Sequence, residues 1–275
     1  MQILNQKYIN IIVKKALQED LSPRGDITTK LIKDKKSRAK IIAKQSGVIA
    51  GLDFCKAAYK LIGKETVFLK KTKDGEKVKK GKVIAVVSAK VKTILTAERT
   101  ALNFLSHASG IATLTNQFVK NSNIKNKICC TRKTTPNLRL LEKYAVKKGG
   151  GFNHRYNLSD EIMIKDNHIA AVPNLRKFVE KAIKTNRIIT LEIDNIKQLK
   201  QVLGLKFKRI LFDNMNLKTL RKCLKLCGNN YETEYSGNVS LKNIKKISST
   251  KVNRISIGSI THSAKAFDLS LKIYN

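Results

Sequence analysis

No stretch of this chain approaches the roughly 20 consecutive apolar residues that a membrane-crossing helix needs. The N-terminal segment MQILNQKYINIIVKKALQED breaks its apolar run at Lys14 and Lys15, so it lacks the continuous apolar centre of a secretory signal. A cytoplasmic location is the expectation. Cysteine is sparse: Cys55, Cys129, Cys130, Cys223 and Cys227 form no CxxC pair and have no histidine at zinc spacing. Buried, reduced thiols are expected. Tryptophan is absent and aromatics make up 6%, so platforms for stacking nucleic-acid bases are scarce. Acidic residues are also few. Asp and Glu number 20 against 56 Lys and Arg, which gives a net charge of +36. The lysines are spread along the whole chain, and isoleucine and asparagine are abundant too, which reads as compositional bias. No nucleic-acid partner is expected, although a cation-rich protein does attract polyanionic small substrates.

What is present is an ordinary globular composition, with 275 residues of which 42% are hydrophobic. That is enough for one large domain or two unequal ones. Residues 5–19 read as an amphipathic helix with Tyr8, Ile11, Ile12 and Ala16 on one face. Residues 39–50 read as a strand, and 66–95 as short strands and turns, with Gly75 and Gly81 bracketing a hairpin-like unit. Thr96 is the expected cap of a long helix with Glu98 in its first turn. Beyond it, apolar runs at 127–130, 162–164, 188–193, 209–212, 231–235 and 254–257 alternate with helical stretches. That alternation predicts parallel β/α units. A short strand at 152–155 makes a seventh, so an incomplete or open barrel is expected. Strict alternation of Leu269, Leu271 and Ile273 with polar residues predicts a final strand that returns to the N-terminal sheet.

Parallel barrels carry their chemistry at the carboxyl ends of the strands. Here those ends deliver Arg132-Lys133, Lys165, Glu192, Asp213, Ser236-Gly237 and Gly258-Ser259, followed by His262. With His154 and Arg155 they assemble a cationic cluster facing two carboxylates. Guanidinium groups grip carboxylates in bidentate fashion. Paired carboxylates among cations suit Mg²⁺ or ribose hydroxyls. Backbone N–H groups at Ser236-Gly237 and Gly258-Ser259, placed at helix starts, suit a phosphate. Each feature alone has an ordinary explanation: surface charge, a salt bridge, a core histidine. Their joint placement at strand ends points to a doubly anionic organic acid meeting a sugar phosphate.

The blocks TRKTTPNLRLLEKYAVKKGGGFNHR (131–155), AERTALNFLSHASGIATLT (97–115), LSDEIMIKDNHI (158–169), LEIDN (191–195), SIGSITHSAKAFDLSL (256–271) and GDITT (25–29) resemble the quinolinate phosphoribosyltransferase family over nearly the whole chain. The resemblance implies an N-terminal α/β sandwich over 1–105, rejoined by a strand at 266–275. It also implies an open parallel α/β barrel of about seven strands over 106–265. The implied reaction joins quinolinate to phosphoribosyl pyrophosphate, with Mg²⁺ required, and releases nicotinate mononucleotide, pyrophosphate and CO₂. The implied assembly is a homodimer in which Arg99 reaches the other subunit's site. By position, Arg132, His154, Arg155 and Lys165 would hold the quinolinate carboxylates. Lys133 would serve the pyrophosphate or substrate anion, and Glu192 and Asp213 the ribose or its Mg²⁺. Ser236, Gly237, Gly258 and His262 would seat the 5′-phosphate. Arg139 and Lys143 also lie at matching positions. Tyr235 stands where the family usually carries a small residue, and Asn238 where it carries glycine.

Three rivals remain at this stage. A non-decarboxylating enzyme for nicotinate needs fewer cations, because nicotinate has one carboxylate. A molybdenum-associated paralogue would share the fold. A nucleic-acid-binding protein would account for the charge.

Overall fold

The computed structural model describes residues 4–274; the first three residues of the expected N-terminal segment and the last of the C-terminal strand lie outside them. In chain order the elements are α1 (Gln6–Leu21), β1 (Lys36–Ala43), β2 (Gly47–Val48), α2 (Leu52–Ile62), β3 (Val67–Lys70), β4 (Lys77–Val78), β5 (Val83–Lys90) and α3 (Val91–Asn121). Then come β6 (Lys127–Cys129), α4 (Arg139–Lys148), β7 (Ile162–Ile164), α5 (Asp166–Ala170), α6 (Leu175–Ile183), β8 (Ile189–Ile193) and α7 (Ile196–Val202). The chain ends with β9 (Arg209–Asp213), α8 (Leu217–Cys227), β10 (Glu232–Ser236), α9 (Ile244–Ser248), β11 (Arg254–Ser256), α10 (Ser259–His262) and β12 (Leu269–Tyr274). It divides into two units. The first is Met1–Asn116, Thr134–Gly150 and Ile260–Asn275; the second is Gln117–Lys133 and Gly151–Ser259.

The first unit is built on an antiparallel sheet of order β12-β1-β5-β3. Helix α1 buries Ile9, Val13 and Leu17, which recur every four residues. Each such side chain contributes about 1.5–3 kcal/mol when withdrawn from water. The buried face is therefore turned from the expected one, and Ile11 is 47% exposed. The aromatic rings of Tyr8, Phe54 and Phe104 pack in succession, with centroids 6.3 and 5.3 Å apart. The expected strand at 39–50 is two strands, β1 and β2. The expected hairpin is absent, because β4 pairs with β2 while β5 pairs with β1 and β3. Helix α3 begins at Val91, directly from β5. Thr96 is thus inside the helix, not at its cap, and its hydroxyl donates to Asp26 at 3.0 Å. Side-chain hydroxyls of α3 accept backbone N–H groups of the preceding segment: Thr113 from Val48 at 2.9 Å and Ser109 from Ala50 at 3.0 Å. Gly110 on the same helix packs so tightly that an added Cβ would lie 2.2 Å from the carbonyl oxygen of Lys265.

The second unit holds a parallel sheet of order β6-β11-β10-β9-β8-β7. The expected seventh strand is reduced to a single parallel bridge between Phe152 and Cys129. Helices α6, α7 and α8 each follow the same plan. An asparagine at the cap accepts a backbone N–H: Asn174 from Lys177 at 2.9 Å, Asn195 from Gln198 at 3.0 Å, and Asn216 from Thr219 at 2.9 Å. Each cap stabilises its helix by about 1 kcal/mol. Apolar residues then face inward at helical spacing, as Leu220, Cys223 and Cys227 do on α8. The other face of the sheet is polar. Thr190, Glu192, Arg209, Asp213, Glu232, Glu234, Ser236, Arg254 and Ser256 alternate with apolar residues along their strands.

Candidate active site

Because the six strands are parallel, their carboxyl ends share one rim, and the second unit carries most of the residues singled out in the sequence. Lys165 follows β7 and donates to Glu192 Oε2 on β8 at 2.8 Å. Glu192 is buried, which raises its carboxyl above the ordinary range. The bonded Lys165 pulls it back, and the charges of Asp213 and Asp166 push it further up. Asp213 ends β9 and is the register partner of Ser236 at the end of β10. Ser236 in turn partners Ser256 on β11, whose continuation carries Gly258. On the other flank, Arg132 and Arg155 are close enough to repel. Burial first, and then the Arg132 charge, lowers the Arg155 guanidinium from its usual value. Arg155 Nη1 donates to the carbonyl oxygen of Glu161 at 3.3 Å. Lys133 is exposed, and its N–H donates to Thr131 Oγ1 at 3.1 Å.

The loop after β10 departs from expectation. Helix α9 begins only at Ile244, so Ser236-Gly237 is a turn and not a helix start. Only Gly258 directly precedes a helical turn, α10. Gly237 has φ +97°, and a Cβ there would lie 2.1 Å from Asn214 Oδ1 and 2.8 Å from Asn214 N. The backbone of Asn214 is tied to the same place by its N–H to Ser236 O at 2.9 Å. Asn238 has φ +48°, the left-handed region that asparagine tolerates best after glycine. Its Nδ2 donates to Asn214 Oδ1 at 3.1 Å. Asparagine here adopts a backbone form that glycine would take freely.

His154 lies below the rim, buried. Its Nδ1 is 3.1 Å from Glu161 Oε1 and its Nε2 is 3.5 Å from Glu234 Oε1. Glu234 is fully buried, and Arg254 Nε donates to its Oε2 at 3.1 Å while Ser256 Oγ donates to its Oε1. Arg209 links Glu161, at 3.4 Å, to Glu232, at 3.0 Å. Glu161, Arg209, Glu232 and Arg254 join this network although the strand-end pattern in the sequence assigns them no role. The signal was the alternation Glu232-Thr233-Glu234-Tyr235-Ser236, which puts a polar group at every second position of a central strand. Arg99, Arg139, Lys143 and His262 belong to the first unit. Arg99 is exposed on α3, and Arg139 Nε donates to Thr134 Oγ1 at 3.0 Å.

Among the described residues, no group of three or more His, Cys, Asp or Glu side chains is placed to hold a metal ion. Glu192 and Asp213, close enough for the charge of Asp213 to act on Glu192, are carboxylates of the kind that a cation bound with phosphates takes. No described helix is long and apolar enough to cross a membrane.

Comparison with known proteins gives one consistent result. Family models for the N-terminal and C-terminal domains of quinolinate phosphoribosyl transferase match residues 26–109 and 111–272. The probable nicotinate-nucleotide pyrophosphorylase (carboxylating) of Bacillus subtilis is 38% identical over 98% of this chain and 95% of its own length. A mitochondrial quinolinate phosphoribosyltransferase (decarboxylating), 2b, of Nicotiana tabacum is 37% identical over 95% of this chain and 81% of its own. The crystal structure of NadC from Streptococcus pyogenes superposes with a TM-score of 0.94 at 36% identity, over 100% of both chains. A nicotinate-nucleotide pyrophosphorylase from Pyrococcus furiosus, at 18% identity and a TM-score of 0.74, shares the fold.

Proposed function

The chain belongs to the quinolinate phosphoribosyltransferase family, and on that premise we propose that the cationic rim of its parallel sheet is where quinolinate meets phosphoribosyl pyrophosphate. The enzyme transfers the phosphoribosyl group to quinolinate with decarboxylation, a step of NAD biosynthesis. One observation carries the site assignment: the charges of Arg132 and Glu192 both act on Arg155, Lys165 bonds Glu192, and Asp213 acts on Glu192 in turn. Two guanidiniums and an ammonium suit the two carboxylates of quinolinate, and two carboxylates suit the polyol face of a ribose.

In this reading Arg132, Arg155 and Lys165 hold the diacid so that its ring nitrogen faces the anomeric carbon. The nitrogen lone pair forms the C–N bond as the C–O bond to pyrophosphate breaks. Positive charge that builds on the sugar is stabilised by Glu192 and Asp213, which is positioning and electrostatics. The ring nitrogen is then cationic. It stabilises the electron pair left on the adjacent ring carbon when the carboxylate there departs as CO₂, and this carbanion takes up a proton. The arginine grip on that carboxylate must stay modest, because stabilising the ground state slows its departure. Ser236, Gly237 and Gly258 offer the 5′-phosphate one hydroxyl and backbone N–H groups. Lys133, exposed at the same rim, is assigned to the departing pyrophosphate. Glu192 or Asp213 would hold Mg²⁺ together with substrate oxygens, which would supply charge neutralisation for the leaving group.

We assign the enzyme to the cytoplasm, where five buried, reduced thiols are at home. We also assign it to a homodimer in which the exposed Arg99 serves the partner's site. Incubation with carboxyl-labelled quinolinate, phosphoribosyl pyrophosphate and Mg²⁺ tests the reaction. Nicotinate mononucleotide and labelled CO₂ in equal amounts are expected. A product that keeps both carboxylates, or turnover of nicotinate alone, would overturn the assignment.

A further inference from the structure

A buried carboxylate costs several kcal/mol in desolvation unless charged partners surround it, and apolar packing often serves stability better. Glu234 therefore calls for an explanation beyond stability. It sits at the centre of the sheet on the polar face, opposite Arg254 on β11 and Leu211 on β9. Its Oε2 takes Arg254 Nε at 3.1 Å and lies 3.6 Å from Arg209 Nε. Its Oε1 takes the Ser256 hydroxyl and faces His154 Nε2 at 3.5 Å. That last contact leaves the sheet and reaches the segment that enters β7. There the Arg155 N–H donates to His154 Nδ1 at 2.8 Å, and the Arg155 guanidinium rests on the Glu161 carbonyl. His154 Nδ1 also lies 3.1 Å from Glu161 Oε1, so the imidazole sits between two carboxylates, Glu161 at one nitrogen and Glu234 at the other. Carboxylate partners of this kind fix a histidine's ring orientation.

We propose that Glu234 is a positioning residue for the quinolinate grip, acting through His154 on Arg155. The proposal rests on the assignment of Arg155 to a quinolinate carboxylate. Glu234 touches no substrate itself. It holds the imidazole, which holds the backbone from which the guanidinium projects.

The test is a set of variants measured with each substrate in turn. Glu234→Gln keeps the shape and removes the charge. We expect the KM for quinolinate to rise about tenfold, the scale for loss of a partner one step behind a binding group. The KM for phosphoribosyl pyrophosphate stays within about twofold, because a selective rise marks lost substrate binding. In an Arg155→Ala background the same change adds nothing further, and Glu234→Asp, which retains the charge, recovers part of the loss. If Glu234→Gln fails to fold, His154→Gln takes its place with the same selective rise expected. Equal rises for both substrates, no rise, or full additivity with Arg155→Ala would overturn the proposal. An Arg155→Ala enzyme with normal quinolinate KM would instead overturn the grip itself.

Discussion

Lys165 Nζ stands 2.8 Å from Glu192 Oε2, joining the residue assigned to the acid with the one assigned to the sugar. Glu192 is buried, so removing its cation leaves a carboxyl that holds its proton to higher pH. Lys165→Ala therefore harms both halves of the site. We expect kcat/KM to fall by about 100-fold or more, the scale for losing one preorganised charge partner, with the melting temperature within about 3 °C. The rising limb of its pH–rate profile moves to higher pH. The Lys165→Ala/Glu192→Gln double variant loses less than the two single losses multiplied, because the pair acts as a unit. Steady-state kinetics of the three variants check this, and fully multiplicative losses would show that the two residues act apart.

Glu234 has the opposite electrostatics. Burial alone would raise its carboxyl, but the hydrogen bond and charge of His154, then Arg254 and Ser256, bring it down to about 2 from an ordinary 4.5. A group lowered in the folded state contributes stability above its unfolded value, and that contribution is lost as pH falls toward the folded one. Wild type therefore holds the contribution in full above pH 4.5 and loses it progressively down to about pH 2. The Glu234→Gln variant lacks this titration. Denaturant unfolding of both proteins between pH 7 and about pH 2.5 should show their stability difference shrinking in that window. A difference that stays constant would mean Glu234 is not held ionised.

Much of this architecture is legible in the sequence, and the reason is local. Apart from the polar β10, the strands β6 to β11 carry short apolar stretches that stop at polar loops, so their ends, and the rim residues just beyond them, fall where the pattern changes. The start of helix α3 is hidden in the sequence because β5 runs into it without a loop, and Val91-Lys92-Thr93-Ile94 carries the β-branched residues of a strand. The asparagines that read as compositional bias include the helix caps Asn174, Asn195 and Asn216. The buried charges escaped notice for a different reason. In a chain with 56 basic residues an arginine such as Arg209 or Arg254 looks like surface. Only the pairing of β9, β10 and β11 sets both beside Glu232 and Glu234.

Gly237 and Asn238 sit side by side with positive φ, yet they should respond differently. At Gly237 a methyl group meets the backbone nitrogen of Asn214 at 2.8 Å, and that nitrogen cannot move without breaking its bond to Ser236. Gly237→Ala should cost about 1–3 kcal/mol through strain at this backbone and raise the KM for phosphoribosyl pyrophosphate. Asn238→Gly should stay within about 1 kcal/mol of wild type, since glycine takes the same φ freely and loses one exposed hydrogen bond to Asn214 and the entropy advantage of a side chain. Thermal melts and substrate titrations of both variants decide this. A Gly237→Ala enzyme that binds phosphoribosyl pyrophosphate normally would remove the turn from the phosphate site.

Arg99 carries the last expectation, because it is exposed on α3 and assigned to the partner subunit's site. Arg99→Ala and Lys165→Ala should each be nearly inactive alone. In a mixed dimer, one barrel keeps its own Lys165 and receives an intact Arg99 from the other chain, while the second barrel lacks both. Random mixing of equal amounts makes half the dimers mixed, each with one working site, so activity should return to about a quarter of wild type in a twofold-symmetric assembly. If Arg99 served its own subunit, every barrel in the mixture would lack one residue, and no recovery would follow. Co-refolding with two affinity tags isolates the mixed species, and turnover by that fraction separates the two arrangements.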